Sequence, residues 1–421
     1  MAEQIQKVKG TNDILPGEVE RWQALEHIIR QIMARYNYRE IRTPIFEHTD
    51  LFTRGVGTET DIVSKEMYTF QDMSGNRLTL RPELTASVVR SFIQHNLQQN
   101  APVQKLWYEG PMFRQERPQK GRYRQFWQFG MEAIGSPHPE QDVEAIAVFI
   151  GIMDALGIRD HVVLNINSIG DTDSRDRYRE ALRDFLAPRL QDLSETSRQR
   201  FDTNPLRILD TKIAYEKEIL AEAPVIRDYL NAESRDHYDH VLAMLTDMGV
   251  EYRQNDLLVR GLDYYTHTTF EFTSDALGAQ DAICGGGRYN DLVTELGGGE
   301  VPAIGWASGI ERLLLVIEAL NPIEVENRLD LYLVVLGDEL RKPAAGLLQA
   351  WRSAGLQCDG DTLRRSMRAQ MREANRQGTR FAAILGESEW ENGEIQLKDL
   401  SSGEQVSVKL EDVISHVREL L

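Results

Sequence analysis

The sequence predicts an α+β protein of two domains, on three observations. Residues Pro111 to Gly135 (PMFRQERPQKGRYRQFWQFGMEAIG) read as two strand-like segments joined by a basic loop, a hairpin. Amphipathic helical patterns flank it at residues 22–36 and 142–157. After the linker ALNPIEVENR a separate strand and helix pattern fills the end of the chain, and 421 residues are too many for one ordinary core.

In chain order, Trp22, Leu25, Ile28, Ile29, Ile32, Met33 and Tyr36 recur at three- and four-residue intervals. That is the stripe of a helix entering after Pro16 and Gly17 and ending near Asn37. The segment YREIRTPIFEHTDLF then alternates around Ile41 and Ile45, and Pro44 removes a ladder donor, so the strand lies at an edge or an interface. Ser74, Gly75 and Asn76 mark a hairpin turn. Arg81 to Glu83 ends a strand and Thr85 to Ile93 reads as helix, which puts Glu83 and Thr85 at a junction where charged groups meet ligands. A helix-start carboxylate favoured by the dipole is the other reading of Glu83.

Within the hairpin, side chains repeat every second position. Tyr123, Gln125, Trp127, Phe129 and Met131 form a core-like face, and Arg122, Arg124, Phe126, Gln128, Gly130 and Glu132 form the opposite one. The second face mixes cations, an amide, a carboxylate and a space-making glycine, which suits a binding floor. Before the loop, Arg114 and Glu116 also share a face.

Next come a helix over Asp142 to Gly157, the strand HVVLNINSIG, and mostly helical pattern from 172 to about 255, read as an inserted helical subdomain. LLVRGLDYYTHTTFEF (257–272) returns to strand character, broken at Gly261. Its arginine, aspartate and two tyrosines make either a core network or a polar pocket wall. Gly285, Gly286 and Gly287 allow close approach of a backbone or ligand, although alone the run reads as a plain turn. Pro302 to Val316 reads as a short strand and then a helix with Arg312 in or near its first turn, where a cation opposes the dipole. An anionic partner would explain it, with pairing to Glu311 or another carboxylate as the alternative.

The last segment reads as strand, helix (Lys342 to Ala354), helix (Asp361 to Gln377), strand, two joined strands and a final helix, a compact α/β domain. Arg364, Arg368, Arg372, Arg376 and Arg380 stand four apart and form a basic ridge, read as phosphate-backbone contact ahead of a solvated face.

A net charge of −18 argues against indiscriminate coating of nucleic acid, because a polyanion is repelled at long range. Two local basic islands, residues 113–125 and 363–380, suit a partner gripped at chosen points. The two cysteines, Cys284 and Cys358, show no partner pattern, and the histidines show no ligand spacing, so no metal ligands are read. No stretch approaches the roughly 20 apolar residues of a membrane span. The N-terminus lacks the apolar core of a secretory signal, so a cytoplasmic location is expected.

Taken together these motifs resemble the class II aminoacyl-tRNA synthetases, and within them the histidyl-tRNA synthetase family of bacterial type, over essentially the whole chain. The Pro44 strand and its preceding helix resemble motif 1, FRQERPQKGRYRQFWQFGMEAIG motif 2, and GWASGIERL motif 3. RGLDYY (260–265) and GGGRY (285–289) resemble the two histidine-specific signatures. The resemblance implies a catalytic domain (1–325) with a mainly antiparallel sheet flanked by helices, interrupted by the helical insertion, then an anticodon-binding domain (326–421), in a homodimer. It implies activation of L-histidine with ATP, with Mg²⁺ bridging the phosphates, and transfer to tRNA(His).

By the same resemblance, Arg114 and Arg260 flank the α-phosphate and carboxylate, and Arg122 and Arg312 hold the outer phosphates. Phe126 stacks on adenine and Glu116 receives its amino group. Glu83, Thr85 and Gln128 receive the α-amino group, Glu132 and Tyr265 bracket the imidazole, and Tyr264 and Tyr289 complete the wall. The loop carrying Arg117, Gln119 and Lys120 meets the tRNA acceptor end, and Arg364, Arg368 and Arg372 meet tRNA elsewhere. Three positions depart from the family pattern: Leu84 stands where glycine is common, Trp127 where histidine is, and Asn290 where aspartate is usual. Two other readings are set aside. A non-catalytic regulatory subunit of ATP phosphoribosyltransferase would lack several of these arginines and the terminal domain, and an RNA-binding scaffold would not need a nucleotide pocket.

Overall fold

Among the residues described by the computed structural model (4–57, 60–119, 121–259, 262–278, 282–324 and 329–421), the hairpin is the longest pairing of an eight-stranded sheet. Its strands, Gln104–Phe113 and Gln125–Ile134, run antiparallel with Gly110 opposite Gln128 and Met112 opposite Phe126. Across the sheet the order is Arg39–Glu40, Gln104–Phe113, Gln125–Ile134, Ala303–Gly309, Ala282–Arg288, Thr266–Thr273, Val163–Ser168 and Tyr252–Gln254. The two outermost pairings are parallel and the five between them antiparallel.

Strand alternation assigns the sheet's two faces to two cores. Trp107, Phe129, Met131, Phe270 and Trp306 join the helices Val19–Arg35 and Pro139–Ala155 in one. Leu106, Tyr108 and Met112 join the helices Thr85–Gln94 and Thr172–Leu186 in the other. Trp127 belongs to the first face, edge-on to Trp22 at 6.2 Å, as its place in the alternation predicts. The helix read from Asp142 starts earlier, at Pro139, a residue whose fixed φ suits the first turn.

The region after Ser168 carries helices Thr172–Leu186, Glu195–Thr203, Ala214–Leu220 and Ala232–Asp247. Three of them begin with a side-chain cap: Asp171, Ser194 and Asn231 accept from the N–H groups of Ser174, Ser197 and Ser234. A smaller antiparallel sheet contains Phe46–His48, Arg77–Leu80 and Tyr68–Gln71. At its turn Asp72 accepts from the N–H groups of Ser74 and Asn76, at 2.9 and 2.8 Å.

The chain divides into two compact units, Met1–Ile323 and Glu324–Leu421. The second holds a sheet ordered Cys358–Gly360, Leu331–Val335, Phe381–Leu385, Glu394–Asp399, Gln405–Lys409, parallel among the first three and antiparallel after.

Four sequence expectations are corrected. The Pro44 segment is two short strands, Arg39–Glu40 and Phe46–His48, because the carbonyls of Thr43 and Pro44 turn to the guanidinium of Arg81. Among the described residues of 257–272, strand structure begins at Thr266. The glycines 285–287 form no turn but the centre of strand Ala282–Arg288, where a Cβ would strike Trp306 and Phe270 at Gly286 and Tyr265 at Gly287. The helix read from Asp361 starts at Met367. Before it, Asp361 accepts the Arg365 N–H at 2.7 Å and Arg364 takes φ +54°, a left-handed conformation that no helix continues.

Candidate active site

The polar face of the hairpin floors a cavity of about 1470 Å³ in the first unit. Phe126 and Gln128 line it directly. Glu132 lies deeper, 0% exposed, because Gly305 opposite leaves the space it needs, while Gly130 makes room for the Tyr108 hydroxyl. Its Oε1 accepts the Thr85 hydroxyl at 2.7 Å and the Tyr108 hydroxyl at 3.1 Å, while Oε2 accepts from Tyr289. Burial raises its carboxyl to about 8, against the lowering by Tyr289 and Thr85. Tyr264 packs between its neighbours, 4.8 Å from the Tyr265 ring and 5.6 Å from the Tyr289 ring.

Glu83 stands both at the helix start and on the cavity wall. Its carboxylate accepts from the N–H groups of Thr85 and Ala86, at 2.7 and 3.0 Å, and so caps the helix Thr85–Gln94. It also lines the cavity, and burial raises its pKa while those bonds and nearby Arg114 oppose the shift. Gln128 Oε1 is buried without a hydrogen-bond donor among the described residues, an acceptor suited to an N–H group of a ligand.

The other end of the cavity is cationic. Arg114 donates Nε to the Pro82 carbonyl at 2.9 Å, and its guanidinium lies 5.2 Å over the Phe126 ring. Glu116 stands between Arg114 (3.8 Å) and Arg122 (3.6 Å). Arg312 donates to the carbonyls of Gly121 and Ala282. Burial, then the charge of Arg122, pushes the Arg312 guanidinium below its usual value, with Glu116 and Glu271 opposing. Glu311 pairs elsewhere: its carboxylate accepts the Trp127 N–H at 3.0 Å, and burial raises it to about 7.

Most of the residues read from the sequence therefore meet in one cavity: Glu83, Thr85, Arg114, Glu116, Arg122, Phe126, Gln128, Tyr264, Tyr265, Tyr289 and Arg312 line it, with Glu132 beneath. Arg260 and Lys120 lie outside the described residues. Arg117 and Gln119 are exposed on the hairpin loop, which Gln119 and Arg122 close by paired backbone bonds of 3.1 and 2.9 Å. Arg364, Arg368 and Arg372 belong to the second unit and are exposed. The ridge is less free than its spacing implies, since Arg376 pairs with Glu373 and Arg380 with Asp399.

Sequence reasoning missed Tyr108 and the cavity residues of the helical region, among them Arg200, Lys212 and Lys217. Tyr108 had a signal, its place opposite Gly130 across the hairpin. Of the departures, Leu84 is buried in the second core, and Asn290 accepts the Ala303 N–H at 3.3 Å, a bond an aspartate would equally accept.

Comparison with known proteins places the chain in a family. The histidyl-tRNA synthetase family model matches residues 10–313 and an anticodon binding domain model matches 330–420. A Geobacillus kaustophilus protein named histidine–tRNA ligase is 50% identical over 416 residues, covering 98% of this chain and 97% of its own. One of the same name from Thermosynechococcus vestitus is 50% identical over 411 residues, covering 98% and 96%. The crystal structure of apo S. aureus histidyl-tRNA synthetase superposes with a TM-score of 0.84 at 41% identity, covering 99% of this chain and 100% of that one. The chain belongs to the histidyl-tRNA synthetase family.

Proposed function

We propose that this protein is a histidine–tRNA ligase: it activates L-histidine with ATP to histidyl-adenylate and transfers the histidine to the 3′ end of tRNA(His). One observation carries the proposal. A single cavity offers acceptors and a hydroxyl at one end (Glu83, Thr85, Gln128), with Glu132 buried beneath, and three guanidiniums at the other (Arg114, Arg122, Arg312). The first end suits an ammonium group and a ring N–H, the second a polyphosphate.

In the first step a carboxylate oxygen of histidine attacks the α-phosphorus of ATP in line, and the bond to the pyrophosphate oxygen breaks. The nucleophile is already ionised, so no general base is needed. Two anions must meet while charge builds on phosphorus, and cations fixed in advance are the main catalytic resource. Arg114 and Arg260 serve the α-phosphate and carboxylate, and Arg122 and Arg312 the outer phosphates. Phe126 stacks adenine and Glu116 receives its amino group. Glu83, Thr85 and Gln128 hold the α-ammonium, and Glu132 and Tyr265 take the two edges of the imidazole. A site built this way rejects isosteres because its own buried polar groups would be left unpaired. In the second step a tRNA hydroxyl attacks the activated carbonyl and AMP leaves.

Magnesium would accompany the nucleotide. The described residues contain no group of three or more His, Cys, Asp or Glu able to cage a metal. Glu116 and Glu271 line the cavity near these arginines. One or two carboxylates plus phosphate oxygens is how Mg²⁺ is commonly held, and its charge would neutralise part of the polyphosphate. Arg117, Gln119 and Lys120 meet the acceptor end of tRNA, and Arg364, Arg368 and Arg372 its backbone.

The protein works as a homodimer in the cytoplasm. Ile45, Phe46 and Phe70, beside Pro44, are 44%, 52% and 44% exposed, a patch that a second copy would cover. No described helix is long and apolar enough to cross a membrane. Purified protein should catalyse ATP–pyrophosphate exchange that requires histidine, and Arg260→Ala should lose it while staying folded. Exchange driven equally well by another amino acid would sink the specificity assigned here.

A further inference from the structure

We propose that Arg81 is a positioning residue for this reaction: its guanidinium locks the Thr43–Pro44 loop and the hairpin strand at Pro111 onto the segment that aims Arg114 and Glu83. The proposal rests on the reading of those two residues as substrate ligands. Arg81 is 4% exposed, and all its side-chain hydrogen bonds go to carbonyls: Nε to Pro111 at 2.9 Å, Nη1 to Thr43 at 2.9 Å and to Pro44 at 3.3 Å. Its main chain binds the same two segments, N–H to the Ile45 carbonyl at 2.9 Å and carbonyl from the Phe113 N–H at 3.0 Å. Two chain segments some 70 residues apart are thus pinned at one residue by both its backbone and its planar fork.

The connection to the reacting end is short. Pro82, the next residue, offers its carbonyl to Arg114 Nε at 2.9 Å, and Glu83 follows, closing the helix N-terminus. A buried cation hydrogen-bonded to carbonyl oxygens, with the Glu47 charge as its counterweight, is a costly way to fill space, and an apolar side chain of similar volume would often serve stability as well. What the guanidinium supplies is direction, three fixed donors in one plane. The hairpin is shaped around it. Gly110 faces Arg81, and an added Cβ there would collide with Nη2. That explains a glycine in the middle of a strand pairing, which propensity disfavours.

The test uses the full-length protein and follows both half-reactions, with urea unfolding as a control. In Arg81→Lys, which keeps the charge and loses the fork, and in Gly110→Ala, which displaces the fork, the kcat of histidine-dependent ATP–pyrophosphate exchange should fall roughly 10- to 100-fold, the scale of a misplacement of about 1 Å. KM for ATP and histidine should move far less, and transfer to tRNA from added histidyl-adenylate should keep its rate. In an Arg81→Met background, Gly110→Ala should add nothing further, because no guanidinium remains to strike. Folded single variants with normal exchange overturn the proposal, and so does a parallel fall of both half-reactions that tracks the folded fraction. Arg114→Ala is the separate control. If it retains exchange, the role given to Arg114 fails and the positioning role fails with it. If it loses exchange while the Arg81 and Gly110 variants do not, the positioning role alone fails.

Discussion

Gly305 stands opposite Glu132 in the centre of the sheet, and a Cβ placed on it would lie 2.6 Å from the Glu132 carboxyl carbon. Only hydrogen fits there. Gly305→Ala should push the carboxylate off its hydroxyl donors and lower kcat/KM for histidine by about 100-fold or more, as small misplacements in a preorganised site do. Exchange kinetics check it, with circular dichroism to show that the fold is kept. An unchanged kcat/KM would mean that Glu132 does not touch the substrate.

Stability should depend on pH through the same carboxyl. Glu132 is raised by burial to about 8 and Glu311 to about 7, so the folded chain binds these protons more tightly than the unfolded one. The stability they confer is complete below the ordinary carboxyl value near 4.5 and is lost as pH rises through about 7 and about 8. Urea unfolding should show a free energy that declines over that window. Glu132→Gln, neutral at every pH, should flatten part of the decline, and a slope identical to wild type would contradict the assignment.

Arg288 and Asp142 form an ion pair whose side chains are both 0% exposed. The guanidinium also binds the carbonyls of Ser136 and His138, at 2.9 and 2.7 Å, and the other Asp142 oxygen is 3.2 Å from His237. Removing one partner strands a buried charge, so Asp142→Ala should destabilise the protein by about 3–5 kcal/mol. Arg288→Met with Asp142→Leu should be less damaging than the two single changes summed, because neither charge is then left alone. Equilibrium denaturation of Asp142→Ala, the two single changes and the double variant decides it.

In the second unit, Arg368→Ala and Arg372→Ala should each weaken tRNA charging and reduce its salt slope by about 1 while leaving pyrophosphate exchange intact. Arg376→Ala should do less, since Glu373 already pairs with that side chain. Aminoacylation measured across a salt series separates the two cases.

Period and glycine placement made much of this molecule legible in advance. Alternation from Phe126 to Glu132 sorted core from floor, and Trp127 fell on the buried side as that period requires, whereas Tyr123, read with the core face, precedes the strand and lines the cavity. Contacts between distant segments were not legible, because no local pattern encodes them. Glu311 stands beside Arg312 in sequence yet binds the hairpin backbone, and Arg81 looked like the end of a strand although its side chain ties two other segments. The glycines 285–287 read as a turn because propensity penalises glycine in strands, and crowding by Trp306 and Phe270 at Gly286 and by Tyr265 at Gly287 overrides that penalty. The arginine spacing at the C-terminal end overstated a free ridge, since acids remote in sequence, such as Asp399, neutralise part of it.

The three guanidiniums gathered at one end of the cavity have a thermodynamic consequence. Burial lowers the Arg312 pKa most, and the charges of Arg122 and Arg114 lower it further against Glu116 and Glu271, with Glu116 3.8 Å from Arg114 and 3.6 Å from Arg122. The unliganded protein thus carries internal repulsion that an anion relieves. Pyrophosphate alone, with no adenine and no histidine, should therefore raise the melting temperature, and more steeply at low ionic strength, where the repulsion is least screened.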